Sequence, residues 1–130
     1  MIKLKEQGIT LIAKEEIVKI NGLFEKEGDL VSEGDLDFIL SKVRSKRLSG
    51  KRKKDLANLA GTLWFGITTS HPFFDGNKRT ATASMLYFLQ ENNSNLNVKK
   101  NNLIYLSLKM ANKDIAEQQI IEWIMSKIKV

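Results

Sequence analysis

The sequence predicts an all-α domain: a compact helical bundle in which one polar loop leads into a buried central helix. Three observations support this. Apolar residues recur at helical spacing in six successive segments. No stretch alternates apolar and polar residues for long enough to make a useful strand. The single proline, Pro72, biases the residue before it away from helical dihedrals, which separates the two most apolar segments. At 130 residues the chain is the size of one domain, residues 1–130, with no repeat or internal linker.

The first helix is expected over about Ala13 to Phe24, with Ile17, Ile20 and Phe24 on its apolar face. Glu27 to Gly34 is polar and glycine-punctuated, a connection, and Ser32 is placed to cap the next helix. That helix carries Leu36, Ile39, Leu40 and Val43 as a stripe and is broken by Leu48-Ser49-Gly50. The third places Leu56, Leu59, Ala60, Leu63, Trp64 and Ile67 on one face and ends near Ser70 ahead of Pro72. Gly66 inside it costs about 1 kcal/mol relative to alanine, which close packing against another helix would explain. Lys78 to Glu91 holds Ala81, Ala83, Met85, Leu86, Phe88 and Leu89, apolar nearly all round, the pattern of a helix at the centre of a bundle. After a polar break from Asn92 to Asn97 come helices over about Asn101 to Met110 and Ile115 to Ile128, with Asp114 as a cap for the last.

Hydrophobic residues make up 42% and charged residues 28%, the balance of a folded globular chain rather than a disordered one. The net charge of +6 suits an anionic partner, and a nucleotide, a nucleic acid, an acidic protein face or an acidic peptide would each satisfy it. The absence of cysteine excludes a disulfide framework and a thiolate metal site. The amino terminus has no long apolar stretch, so neither a signal peptide nor a membrane span is expected, and a cytoplasmic location follows by default. Asn92-Asn93-Ser94 matches the glycosylation triplet and is read as chance in a chain without a secretion signal.

The chemistry is concentrated in His-Pro-Phe-Phe-Asp-Gly-Asn-Lys-Arg-Thr, His71 to Thr80, which opens with the only histidine and the only proline. An imidazole can take a proton at physiological pH. Asp75 offers hard oxygen ligands to Mg²⁺, the metal that accompanies nucleotide phosphates. Gly76 permits a tight turn and close approach of phosphate to main-chain N–H groups. Asn77 can cap the following helix or give its amide to a phosphate oxygen. Lys78 and Arg79 fall in the first helical turn, where the helix dipole disfavours each cation by about 0.3–1 kcal/mol. Two cations there make sense if an anion binds at the same place. Phe73 reads as the anchor that packs the loop onto the core. A lone histidine, an Asp-Gly-Asn turn and a Lys-Arg pair are each ordinary alone; together in one stretch they point to function.

From His71 to Arg79 the sequence resembles the signature of the Fic/Doc family, His-x-Phe-x-Asp/Glu-Gly-Asn-x-Arg, at every fixed position. Lys78, within Asn-Lys-Arg-Thr-Ala, is similar to the Doc (death-on-curing) branch, whereas the AMP-transferring Fic branch more often has glycine there. The likeness extends from about Ile12 to Asn92, in helix order and in Leu-Tyr-Phe-Leu-Gln-Glu-Asn. The resemblance implies His71 as the general base for a target hydroxyl, Asp75 as the Mg²⁺ ligand and Phe73 as structural. Gly76, Asn77, Lys78 and Arg79 would hold the phosphates of ATP. AMP-transferring members usually carry a second arginine three positions after the first. Here that position is Thr82, which leans toward a Doc-like toxin that transfers the terminal phosphate of ATP to a Ser or Thr hydroxyl. Doc relatives modify a translation elongation factor and are neutralised by a small antitoxin, so both are implied partners.

Some family members carry an inhibitory Ser/Thr-x-x-x-Glu-Gly/Asn. The available endings, Glu27-Gly28, Glu33-Gly34 and Glu91-Asn92, are preceded four residues earlier by Leu23, Asp29 and Tyr87. Inhibition is therefore expected in trans or not at all. The family's target-recognition edge would fall within Glu27 to Lys54. Two alternatives stand beside the kinase-like reading: AMP transfer to a protein hydroxyl, and a non-catalytic basic module that binds nucleic acid through Gly50-Lys51-Arg52-Lys53-Lys54. The second is disfavoured because the aromatic residues sit at core spacings and leave no stacking platform.

Overall fold

In the computed structural model, which describes residues 5–6, 8–25 and 29–130, two short strands, β1 (Lys5–Glu6) and β2 (Ile9–Thr10), precede the helices. Then come α1 (Lys14–Phe24), α2 (Glu33–Arg44), α3 (Arg52–Ser70), α4 (Asn77–Glu91), β3 (Asn95–Leu96), α5 (Lys100–Ala111), α6 (Glu117–Lys127) and β4 (Ile128–Lys129). The predicted helices are present in the predicted order. The strands were not foreseen, because two residues are too few to show alternation. Both pairs are antiparallel. Lys5 faces Thr10 and Glu6 faces Ile9; Asn95 faces Lys129 and Leu96 faces Ile128. Among the described residues no helix is long and apolar enough to cross a membrane.

α3 and α4 share the centre. α3 packs against α2, α4, α5 and α6, and α1 lies on α4. From Thr80 to Leu89 no residue of α4 is exposed, as its all-round apolar pattern predicts. Trp64 and Phe88 are among the largest fully buried side chains, and Trp64 meets Trp123 of α6 with ring centroids 6.1 Å apart. Two glycines let neighbours come close to α3. A Cβ on Gly66 would lie 2.8 Å from Ile39 Cγ2 on α2, which is the close approach expected there. A Cβ on Gly61 would lie 2.5 Å from Ile121 Cγ1 and 3.1 Å from the Ile121 Cα on α6.

Three local expectations are corrected. α1 buries Glu16, Ile17 and Asn21, while Ile20 is half-buried and Phe24 exposed, so its inner face is turned from the purely apolar one. Polar contacts cause this: Glu16 accepts the Ala13 N–H and the Tyr87 hydroxyl. Ser32 is the cap residue of α2, but its hydroxyl makes no capping bond. α6 is capped at Ala116 rather than Asp114, with the Gln119 side chain accepting the Ala116 N–H at 2.8 Å.

Asn92 is 2% exposed and its amide is fully engaged. Its Oδ1 accepts the Thr10 N–H at 2.8 Å, and its Nδ2 donates to the carbonyls of Thr10 and Phe88. That side chain ties β2 to the end of α4, in keeping with the chance reading of the glycosylation triplet. Asp55, also buried, accepts bonds from the Ser49 N–H, the Ser49 hydroxyl and the Gly50 N–H. Those three bonds compensate a carboxylate that burial would otherwise penalise.

Candidate active site

α3 ends at Ser70, and His71 closes it as a C-cap in the left-handed conformation, φ 54° and ψ 57°, with its N–H on the Ile67 carbonyl. Pro72 cannot continue a helix, so the chain turns out of α3 at this point. Pro72 and Phe73 are buried, whereas His71, Phe74 and Asp75 are exposed. Phe73, at 2% exposure, lies within the hydrophobic core.

Two devices fix the loop around Phe73. The segment 29–32 straps its outside: Val31 and Ser32 N–H groups both donate to the Pro72 carbonyl at 2.9 Å, and the Phe74 N–H donates to Asp29 at 2.8 Å. Leu30 and Phe73 form an isolated antiparallel bridge. From inside, Asn77 Oδ1 accepts the Phe73 N–H at 2.9 Å, and Asn77 Nδ2 donates to the Phe73 carbonyl at 2.8 Å. Asn77 is therefore a loop clamp and the first residue of α4, not its cap. The cap is Gly76. One N–H of the Asn77 amide remains beyond that bond for an anion.

Gly76 has φ 74°, a conformation that side chains other than glycine's resist, and a Cβ there would lie 2.8 Å from Glu25 Cγ. As a cap it offers no side-chain acceptor to the first turn of α4, and that turn holds no acidic residue. The leading N–H groups of a helix have no intrahelical acceptors. The start of α4 is thus a set of donors with positive dipole character. Lys78 and Arg79 stand exposed on the same turn and make no ion pair among the described residues. The corner thus carries two cations that no described carboxylate pairs with.

Asp75 projects from the same corner. Its Oδ1 accepts the Gly76 N–H at 2.7 Å. Among the described residues no group of three or more His, Asp or Glu could hold a metal. A lone exposed carboxylate does fit Mg²⁺ carried in on phosphates, since that ion keeps waters and phosphate oxygens as most of its ligands.

The structure brings His71, Asp75, Gly76, Asn77, Lys78 and Arg79 onto one corner between α3 and α4. It also adds a residue that the sequence reading missed. Asn21 of α1, buried at 2%, donates from Nδ2 to the Asp75 carbonyl at 2.9 Å and to Thr80 Oγ1 at 3.0 Å. Its signal in the sequence was an amide one turn beyond Ile17 on an otherwise apolar face. Thr82 is also explained. Its hydroxyl donates to the Lys78 carbonyl or to Ser107, and accepts the Trp64 Nε1–H at 3.0 Å. The position is built into the core as a hydrogen-bond junction. The Glu27-Gly28 ending, which is also the first part of the expected target-recognition edge, lies outside the described residues. Glu33-Gly34 opens α2 and Glu91 closes α4.

Comparison with known protein families matches residues 12–89, more than half of the chain, to the Fic/DOC family. No curated protein matches the chain.

Proposed function

The chain belongs to the Fic/DOC family, which indicates a transferase that moves a nucleotidyl or phosphoryl group onto a protein, and within that class we propose a Doc-like reaction. The terminal phosphate of ATP passes to a Ser or Thr hydroxyl of a target protein, expected to be a translation factor. The observation that carries this reading is the pair of cations, Lys78 and Arg79, without an ion-pair partner among the described residues, at the open start of α4 that follows the exposed His71. Thr82 supports it further, because the position of a second phosphate-binding arginine is here occupied by a hydroxyl bonded into the core.

The roles follow from the chemistry of each group. The first-turn N–H groups, Lys78, Arg79 and the remaining Asn77 N–H hold phosphate oxygens and offset their charge. Asp75 would hold Mg²⁺, which supplies further charge neutralisation when bound. His71 takes the proton of the acceptor hydroxyl as its oxygen bonds to the terminal phosphorus and ADP leaves. Such transfer depends mostly on positioning and charge neutralisation. The clamps by Asn77, Asn21 and the segment 29–32 therefore belong to the function as much as the reacting groups do. No complete inhibitory motif occurs in the sequence, so this reading assigns restraint to a separate antitoxin.

The test is the position of a label. The chain is incubated with Mg²⁺, γ- or α-labelled ATP and a translation extract. The γ-label is expected on a protein of the extract. Transfer of the α-label instead means AMP transfer and overturns the phosphoryl reading. Transfer of neither overturns both.

A further inference from the structure

The far end of α3 carries a second surface that the reaction does not use. Between Arg44 and Lys54 there are seven basic residues and no acidic one. Arg52 is committed, with its guanidinium on the carbonyls of Gly8 and Asn92. Arg44, Arg47, Lys51, Lys53 and Lys54 are exposed and Lys46 is half-buried, and none has an acidic partner among the described residues. The nearest carboxylate in sequence, Asp55, is buried and occupied by Ser49 and Gly50. The six cations therefore form a field without a counter-charge among the described residues.

This field borders a groove. A cavity of about 290 Å³ has Leu11, Ile12, Leu40 and Val43 in its lining. It shares Leu11, Val43 and Arg44 with a smaller recess that Lys46, Leu48 and Leu59 complete. The floor is aliphatic and one end is basic. The opposite end holds Glu15, Asp37 and Lys14, and the Lys14 ammonium is tied to Glu33 at 2.6 Å and Asp37 at 3.0 Å. Those bonds, to Glu33 first and Asp37 second, hold the Lys14 pKa above its ordinary value. That end is thus neutral to acidic, and the groove is polarised along its length.

We propose that this groove docks an acidic peptide segment of a partner protein. The segment seats an apolar side chain over Leu11, Leu40 and Val43 and directs its carboxylates toward Arg44, Lys46 and Arg47. Charge complementarity sets both the class of partner and its direction, because carboxylates at the Glu15 end would be repelled. The aliphatic floor argues against nucleic acid, whose backbone cannot use it, and the stretch Arg44–Lys54 has no aromatic residue on which a base could stack. The basic end of the groove is remote from the catalytic corner, since the 19 residues of α3 put the start of that helix about 28 Å from His71, whereas the acidic end at Glu33 and Asp37 follows the segment bonded to Pro72.

The test is fluorescence anisotropy on the full chain with three labelled probes. One is a short Glu/Asp-rich peptide with leucines as anchors, one is the same peptide with serine in place of each leucine, and one is a single-stranded RNA. The anchored peptide is expected to bind at low salt and to weaken as salt rises. Lys46→Glu with Arg47→Glu is expected to weaken it by about tenfold or more, whereas Lys99→Glu with Lys100→Glu, an equal change of net charge on exposed residues at the start of α5, leaves it unchanged. Replacement of the leucines is also expected to weaken it. Four results would each overturn the proposal: no binding of the anchored peptide at low salt, equal loss in both charge variants, indifference to the leucines, or tighter binding of the RNA.

Discussion

His71 holds a left-handed backbone, φ 54°, which costs a residue with a side chain on the order of 1–2 kcal/mol. Strain of this kind persists where the surroundings over-determine it, and here the end of α3, buried Pro72 and the strap from segment 29–32 do so. Glycine would relax the position, offset in part by the larger backbone entropy it loses on folding. His71→Gly is therefore expected to raise stability by about 0.5–1 kcal/mol in urea unfolding. If proton transfer to the imidazole contributes to the rate, the same variant should lose about 10²–10⁴-fold in turnover. A variant that is destabilised would contradict the strain argument, and one with unchanged turnover would remove the base. Gly76 is bound more tightly, because its positive φ and the Glu25 contact both exclude a side chain. Gly76→Ala is expected to destabilise by about 1–3 kcal/mol.

At the scale of elements, the corner depends on how α1, α3 and α4 meet. Asn21 joins α1 to both the loop and α4 through the Asp75 carbonyl and the Thr80 hydroxyl. Asn21→Ala leaves those groups without their partner, at a cost of about 1–3 kcal/mol. It is also expected to weaken nucleotide binding, measured by isothermal titration. Full affinity in that variant would show that the α1 contact supports the fold alone. The two glycines of α3 make a second comparison. Gly61 faces the main chain of α6 through Ile121, whereas Gly66 faces only the side chain of Ile39. Overpacking costs about 1–3 kcal/mol against a helix-propensity gain of about 1. Gly61→Ala should thus destabilise clearly and Gly66→Ala much less, as thermal unfolding would show. The reverse order would mean that α2, not α6, is the tighter neighbour.

Across the whole molecule, what the sequence displayed was periodicity and contiguity. The helices and the loop residues from His71 to Arg79 were legible because each signal lies within one short stretch. The β1–β2 and β3–β4 pairs were not, since two-residue strands leave no pattern and their partners are set by the fold. Asn21 and Thr82 were not legible as structural junctions because their partners lie 54 to 59 and 18 to 25 residues away in sequence. Asn77 shows the same limit at short range: of its two readings, helix cap or phosphate donor, the first is taken by Gly76, and the side chain clamps Phe73. The central claim is that the start of α4 grips nucleotide phosphates beside His71. Its most direct test is a crystal structure with Mg²⁺ and a non-hydrolysable ATP analogue. The phosphates are expected against Gly76, Asn77, Lys78 and Arg79, with the terminal phosphate facing the imidazole. Nucleotide density remote from His71, with the α4 corner empty, would contradict it.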